Sequence, residues 1–328
     1  MCNKLFVIFV FITVLCSEIS FAGSRLLYLE GQWVAGYSGS EKKAIYYSTD
    51  QDAEMQKPSI GFDYVQKFSG RSGDYGTFAL QARGAWNNEG PDRFEGQIYN
   101  AYYKFKAGWS NIWVGHDRSS FGMTSYFDSH GLLLPTLAMT GYGFERDWGS
   151  GINKDLSWGD AGFSLTSGSG MPLFLKGNWL LSSRVSKGVL NRDNYNVGVS
   201  VSGGRILNTM GEHLMDPDPH RTVLGGLDTA VLWNNIENRF EFIGGENLGL
   251  KSYAFFLRST AKFMDEDRFK VEFQPVVSRN DDVVTYDLYG GVSFSVTADL
   301  CLRMFYLYRD MNYEHRGVAQ LYYYFRVL

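Results

Sequence analysis

The 328 residues carry 31 Lys+Arg against 35 Asp+Glu, and 16% of them are aromatic. A mildly acidic balance argues against nucleic acid as a partner, and so many Tyr, Trp and Phe residues exceed what a soluble core needs but suit the two interfacial girdles of a membrane barrel. Beyond the first 22 residues only Cys301 remains, so internal disulfides are excluded from a chain that is expected to be exported.

Residues 1–22 read as a secretory signal peptide, with Lys4 as its positive end, an apolar run over 5–15, and Ser20-Phe21-Ala22 as the cleavage site. The mature protein is then expected to begin at Gly23. No stretch reaches the ~18 consecutive apolar residues of a spanning helix. The membrane structure left open is a closed β-barrel, in which every backbone group pairs with a neighbouring strand. Residues 23–41 have a mixed pattern that fits a periplasmic segment or an additional strand, and they are left unassigned.

From residue 42 to 328 the chain reads as one all-β, transmembrane antiparallel barrel of about sixteen strands, with fourteen possible. The segments expected are 42–49, 59–69, 75–87, 93–107, 110–117, 143–155, 159–167, 173–187, 193–205, 222–234, 237–247, 250–263, 267–279, 284–297, 300–311 and 316–328. Alternation is the criterion, because one side of a barrel wall meets lipid and the other water. Tyr195, Val197, Val199 and Val201 alternate with Asn196, Ser200 and Ser202, and Phe269, Val271 and Phe273 with Lys270, Glu272 and Gln274. In 93–107 the apolar phase switches at Tyr99-Asn100, which predicts a bulge. Pro275 inside a strand predicts another.

Connection lengths orient the barrel. The turns at 107–109, 157–158, 235–236, 265–266 and 298–299 are tiny and are assigned to the periplasmic side. The long connections 50–58, 118–142 and 207–221 fall on the opposite, outer side. The stretch 118–142 is longer than a compact fold tolerates without a function. Its apolar run, 132–139, suits packing against the inner wall as an inward-folded third outer loop. Ser125, Asp128, Ser129 and His130 would then face the channel. The bland alternative is a loop packed on a neighbouring subunit.

Two stretches resemble known families. Gly115-His116-Asp117-Arg118-Ser119-Ser120-Phe121-Gly122 is similar to the Gly-Arg-x-x-x-Pro-Phe-Gly run with which the phosphate-selective O/P-type porins enter their constriction loop. Gly115, Phe121 and Gly122 match, whereas His116 replaces the arginine and Ser120 the proline. The lysine cluster of that family has no counterpart here, so phosphate selectivity does not carry over. Gly317, Ala319, Leu321, Tyr323 and Phe325 form a stripe resembling the C-terminal signature read by the outer-membrane assembly machinery, although three residues follow Phe325. The resemblance implies a homotrimer.

These features give a porin of the Gram-negative outer membrane, passing small hydrophilic solutes or ions by passive diffusion through a lipid-embedded channel, with no cofactor and no metal. Pore-lining and constriction residues are expected at Arg83, Arg258, Arg303, Asp128, His130, Asp228, Glu272 and Asp287, whose near balance of signs predicts weak ion selectivity. Wall-bracing salt bridges are the alternative for any one of them. An enzyme is not expected: His116 with Ser119 or Ser120 could be drawn as base and nucleophile, but an orienting third group is missing. The rival readings are a barrel enzyme or lipid-handling protein, and a structural or surface-recognition barrel with a blocked lumen. His213 and His220 near Glu212, Asp216 and Asp218 read as a hydrated loop rather than a metal site.

Overall fold

The computed structural model describes residues 23–50, 56–88 and 93–328; the expected signal peptide lies outside them. The chain forms one closed antiparallel barrel of sixteen long strands. It begins with β1 (Arg25–Ser38), followed by a three-residue stub, β2 (Lys43–Ile45). The next staves are β3 (Ser59–Gly70), β4 (Gly73–Trp86), β5 (Phe94–Lys106), β6 (Asn111–Arg118), β7 (Arg146–Leu156), β8 (Gly159–Thr166) and β9 (Trp179–Lys187). They continue as β10 (Tyr195–Met210), β11 (His213–Trp233), β12 (Ile236–Asn247), β13 (Leu250–Phe263), β14 (Phe269–Asn280), β15 (Val283–Ser295), β16 (Leu300–Arg309) and β17 (Glu314–Arg326). Each pairs with the next, and β1 closes the ring by pairing with β3 on one side and β17 on the other.

The burial pattern is inverted relative to a soluble protein. Along β10, Val197, Val199 and Val201 are exposed while Asn196, Ser200 and Ser202 between them are buried. Apolar side chains therefore point outward, where lipid would cover them, and polar ones point into the lumen. Tyr323 and Phe325 follow this rule in the last stave, their rings 5.0 Å apart.

Several expectations are corrected. The first stave is 25–38, which was unassigned, whereas of 42–49 only the stub enters the sheet; the count of sixteen stands because one replaces the other. Residues 207–221 are no loop: β10 and β11 run on to a two-residue turn, and Pro217 and Pro219 sit within β11. The strand expected over 173–187 begins at Trp179. Pro275 makes no bulge. The β13–β14 register is the same on both sides of it, and the ladder merely skips two pairs, at Pro275, which offers no N–H, and at the adjacent Gln274. The bulge in β5 is present, since Gln81 pairs with Asn100 and Ala82 with Ile98, leaving Tyr99 as the extra residue.

An Arg or Lys at mid-bilayer on the lipid face of such a barrel costs ~2–4 kcal/mol. Val199, 59% exposed on the outer face of β10, is a direct test. Val199→Lys is expected to lower the unfolding free energy in lipid vesicles by about that amount, measured by denaturant titration.

Candidate functional site

Residues 119–145, between β6 and β7, lie inside the barrel. Their backbone leaves the wall at Gly122, whose φ of +61° is one that L side chains rarely adopt. A Cβ there would also stand 2.3 Å from Glu241 Oε1. Glycine is thus favoured by conformation, and a Cβ would also push aside the Glu241 carboxylate that holds the Met123 N–H. Gly115 is constrained likewise: φ is +123° and a Cβ would meet the Ala101 carbonyl at 2.2 Å. Phe121, also part of the motif, is buried in the internal apolar cluster.

The lumen holds the hydrophobic core. Leu133, Leu134 and Leu137 of the loop are buried with Phe121, Met123 and Tyr142 against inward-facing Val34, Leu224, Ile243, Phe256, Val276, Tyr289, Phe305, Leu307 and Val318. Burying each leucine contributes about 1.5–3 kcal/mol. Within the apolar run 132–139, Leu133, Leu134 and Leu137 are covered by the inner wall, while Leu132, Ala138 and Met139 line the cavities on either side.

A loop in that position must also find partners for its peptide groups. Wall side chains supply them. Arg258 Nη2 donates to the carbonyls of Leu134 (2.9 Å) and Pro135 (3.1 Å), and Gln274 Nε2 donates to Pro135 at 2.9 Å. Arg303 Nη1 donates to Gly131 O at 2.7 Å and Asn247 Nδ2 to Gly141 O at 2.9 Å. In the other direction, the N–H of Met123 donates to Glu241 Oε1 (2.7 Å) and that of Gly122 to Ser200 Oγ (3.1 Å). His130 Nε2 lies 2.8 Å from Glu30 Oε1, and Glu30 is in turn 3.0 Å from Arg83 Nη1.

The expected site residues are therefore distributed differently from a ring of open charges. Arg83 and Arg258 are buried and hold the loop, directly or through Glu30. Asp228 is fully buried, with Arg184 Nη2 2.7 Å from its Oδ1 and Nε 3.0 Å from its Oδ2. Asp287 is clamped by Arg309, whose Nη2 lies 2.9 Å away. Ser129 and His130 are largely buried and bonded to neighbours, Ser129 Oγ donating to Glu145 Oε1 at 2.5 Å. Arg303 and Glu272 stay partly exposed and line the inner end of the lumen.

Asp128 alone is exposed among residues 119–139, with 58% of its side chain accessible. Its Oδ2 lies 2.8 Å from Arg118 Nη2 and its Oδ1 3.8 Å from Arg146 Nη2. Burial by itself would raise its carboxyl, but Arg118 and then Arg146 outweigh that and hold it below the usual carboxylate range. Asp128 stays ionised at neutral pH.

Glu30, Arg146 and the bulged Tyr99 were not foreseen. The Arg146 guanidinium carbon sits 3.5 Å from the Tyr99 ring centroid, and the His130 ring is 4.0 Å from that same ring. The phase switch at Tyr99 was the available signal. Of the pair drawn from the sequence, Ser119 Oγ donates to Phe144 O rather than to His116.

Two cavities flank the loop. The outer one, about 470 Å³, is lined by Ser129 and 138–141 together with rim residues such as Asn247 and Arg309. The inner one, about 450 Å³, is lined by Phe127 and Leu132 together with Arg239, Lys270, Glu272 and Arg303.

No protein-family model and no curated protein sequence matches the chain. Solved structures do match in fold. OmpT, an outer membrane protein of Vibrio cholerae, superposes as a loop L8 deletion mutant with TM-score 0.63 at 13% identity, over 93% of this chain and all of that one. The same protein, folded in vitro and in a trimer form, gives 0.60 at 10%, over 93% and 100%. OmpF of Salmonella typhi in complex with daunomycin gives 0.61 at 11%, over 92% and 98%. The outer membrane channel DcaP of Acinetobacter baumannii gives 0.60 at 11%, over 92% and 97%. The chain has the fold of these outer-membrane barrels.

Removing the Arg258 guanidinium orphans the buried Leu134 carbonyl and Gln274 Oε1, at about 1–3 kcal/mol each, while Pro135 O keeps Gln274. Arg258→Met and Gly122→Ala are both expected to destabilise the barrel by at least about 1 kcal/mol and to expose the loop to protease in detergent. Thermal unfolding and limited proteolysis check both.

Proposed function

We propose that this chain is an outer-membrane channel for passive passage of small hydrophilic solutes, with a preference for anions. The observation that carries the reading is a loop pinned across the lumen between two cavities that open toward opposite ends. Sixteen staves enclose more space than side chains fill, so a loop folded inward sets the width of the passage.

The anion preference rests on where charges sit. The near balance over the whole sequence conceals segregation. The inner cavity is lined by Arg239, Arg258, Lys262, Lys270 and Arg303 against Glu237, Glu272 and Asp299. Glu237 is shared by Arg239 (2.5 Å) and Lys262 (3.0 Å). Arg258 and Arg303 are hydrogen-bonded to neutral oxygens, and among the described residues neither forms a salt bridge. A narrow, low-dielectric passage magnifies such an excess.

A second reading is favoured by one observation: the apolar cluster occupies part of the lumen, as a plugged, structural barrel would require. Catalysis is not part of the proposal. Trimer assembly and recognition of Tyr323 and Phe325 by assembly machinery are proposed with it, by analogy with the barrels of like fold.

In planar bilayers under a KCl gradient the reversal potential is expected on the anion side. Lys270→Glu combined with Arg303→Glu should move it toward cations, and the shift should fade at 1 M salt, where the Debye length is about 3 Å. Absence of conductance in correctly folded protein would favour the plugged barrel. Deleting 126–130, which leaves Leu133–Leu137 seated, should raise conductance; an unchanged value would place the constriction elsewhere.

A further inference from the structure

Two strands outrun the barrel. β10 has 16 residues and β11 has 21, whereas a tilted membrane strand needs about 9–11. Their shared end is an arm beyond the wall, and it is bent. Ile206 pairs with His220 but Asn208 pairs with Asp216, so Pro217, Asp218 and Pro219 oppose a single residue. A bulge of this kind turns a strand sharply. The bend is held by His220 Nε2, 2.9 Å from Asp216 Oδ2, and by Arg205 Nη2 donating to Pro219 O at 3.1 Å. The root is tied to the β8–β9 connection, where Leu207 N–H donates to Gly168 O at 2.9 Å and Thr209 Oγ1 to Ser169 O at 3.0 Å.

The arm's tip lands on another sector of the rim. His213 Nε2 is 3.8 Å from Glu95 Oε1 on β5, which is five staves from β10 through β9, β8, β7 and β6. Residues 206–211 thereby line the outer cavity. Glu212, at the tip, faces Glu95 and the Ile98 N–H of β5 and Lys57 from the segment before β3, with His213 beside it on the arm. Lys57 is already bonded to Glu95 at 2.9 Å, and Asn87 also donates to Glu95. Glu212 Oε1 is shielded from solvent with no hydrogen-bond partner among the described residues.

We propose that the arm formed by residues 206–220 is a proton-operated lid over the outer mouth, docked while Glu212 carries a proton against Glu95 and lifted when both carboxylates are charged. It rests on the channel reading for its effect on flow, though not for its motion. Burial first, and then the charge of Glu95, push the Glu212 carboxyl up to about 7, against the opposing pull of Ile98 N–H and Lys57. The sign follows from linkage. A carboxyl raised in the docked state leaves docking at full strength below its ordinary value of 4.5, weakens it as pH rises toward 7, and leaves it weakest above. Across that window the docking equilibrium should fall on the order of a hundredfold.

The test uses the mature full-length chain in lipid. Conductance is recorded from pH 4.5 to 8. In the same membranes, spin labels at Asp218→Cys and Arg93→Cys, in a Cys301→Ser background, report the distance from arm to rim. Both conductance and distance are expected to rise with pH and level off above neutrality. Glu212→Gln should keep the short distance and low conductance throughout, and an arm shortened by removal of 208–216 should conduct well at every pH. An unchanged label distance in the unmodified arm, or Glu212→Gln behaving like it, would overturn the lid. A distance that steps with pH in a barrel that never conducts would uphold the lid and overturn the channel reading instead.

Discussion

The structure turns on one constraint: an irregular peptide chain held inside a barrel must have its N–H and C=O groups satisfied there. In a strand the neighbour does this automatically. For residues 119–145 it is done by side chains of the wall, and the donors and acceptors come from widely separated staves: Ser200, Glu241, Asn247, Arg258, Gln274 and Arg303. Arginine suits the task because its fork can serve two carbonyls at once. Arg258 does so at Leu134 and Pro135 and reaches Gln274 with Nε at 2.6 Å. Side chains that look like pore charges in sequence are thus partly the loop's scaffold.

The same constraint explains where the rule of apolar outside and polar inside is broken. Inward-facing Phe256, Val276, Tyr289, Phe305 and Val318 form a greasy patch on the wall, and the patch coincides with Leu133, Leu134 and Leu137 of the loop. Apolar contact gives the loop its adhesion, while the hydrogen bonds fix its register on the patch. Neither suffices alone. Packing is non-directional, and buried hydrogen bonds add only about 1 kcal/mol net each, though they are costly to leave unmade.

Much of the barrel was legible because alternation reports which face a residue occupies. It fails where the inner face is not polar. In β1 the inward side chains include Glu30 and Gln32 but also Leu26, Tyr28 and Val34, and Val34 belongs to the loop's apolar patch. The two faces of 25–38 then look alike, the stave goes unassigned, and Glu30 disappears from the expected site with it. The arm fails for the opposite reason. Residues 207–221 leave the wall and no longer divide into a lipid face and a lumen face, so their polar, proline-bearing sequence carries no strand signal although the backbone pairs. Gly122 and the run 132–139 were readable because their demands are local: a left-handed turn and an apolar stripe. Pairing is not local. Arg258 and Lys270 both read as inward cations, yet one is locked to loop carbonyls and the other lines the inner cavity.

The two devices in the lumen also differ in what can move them. The loop is held by buried groups, several of them neutral peptide carbonyls, where salt and mild pH changes have little purchase. The arm is held at its tip by Glu95, Lys57, Glu212 and His213 on the rim, next to water. Charges in that setting respond to protons and are screened within about a Debye length, ~8 Å at physiological ionic strength. A fixed constriction and an adjustable cover in series divide the work between them. On the proposed reading the loop would decide what can pass at all, and the rim chemistry how readily a solute reaches it.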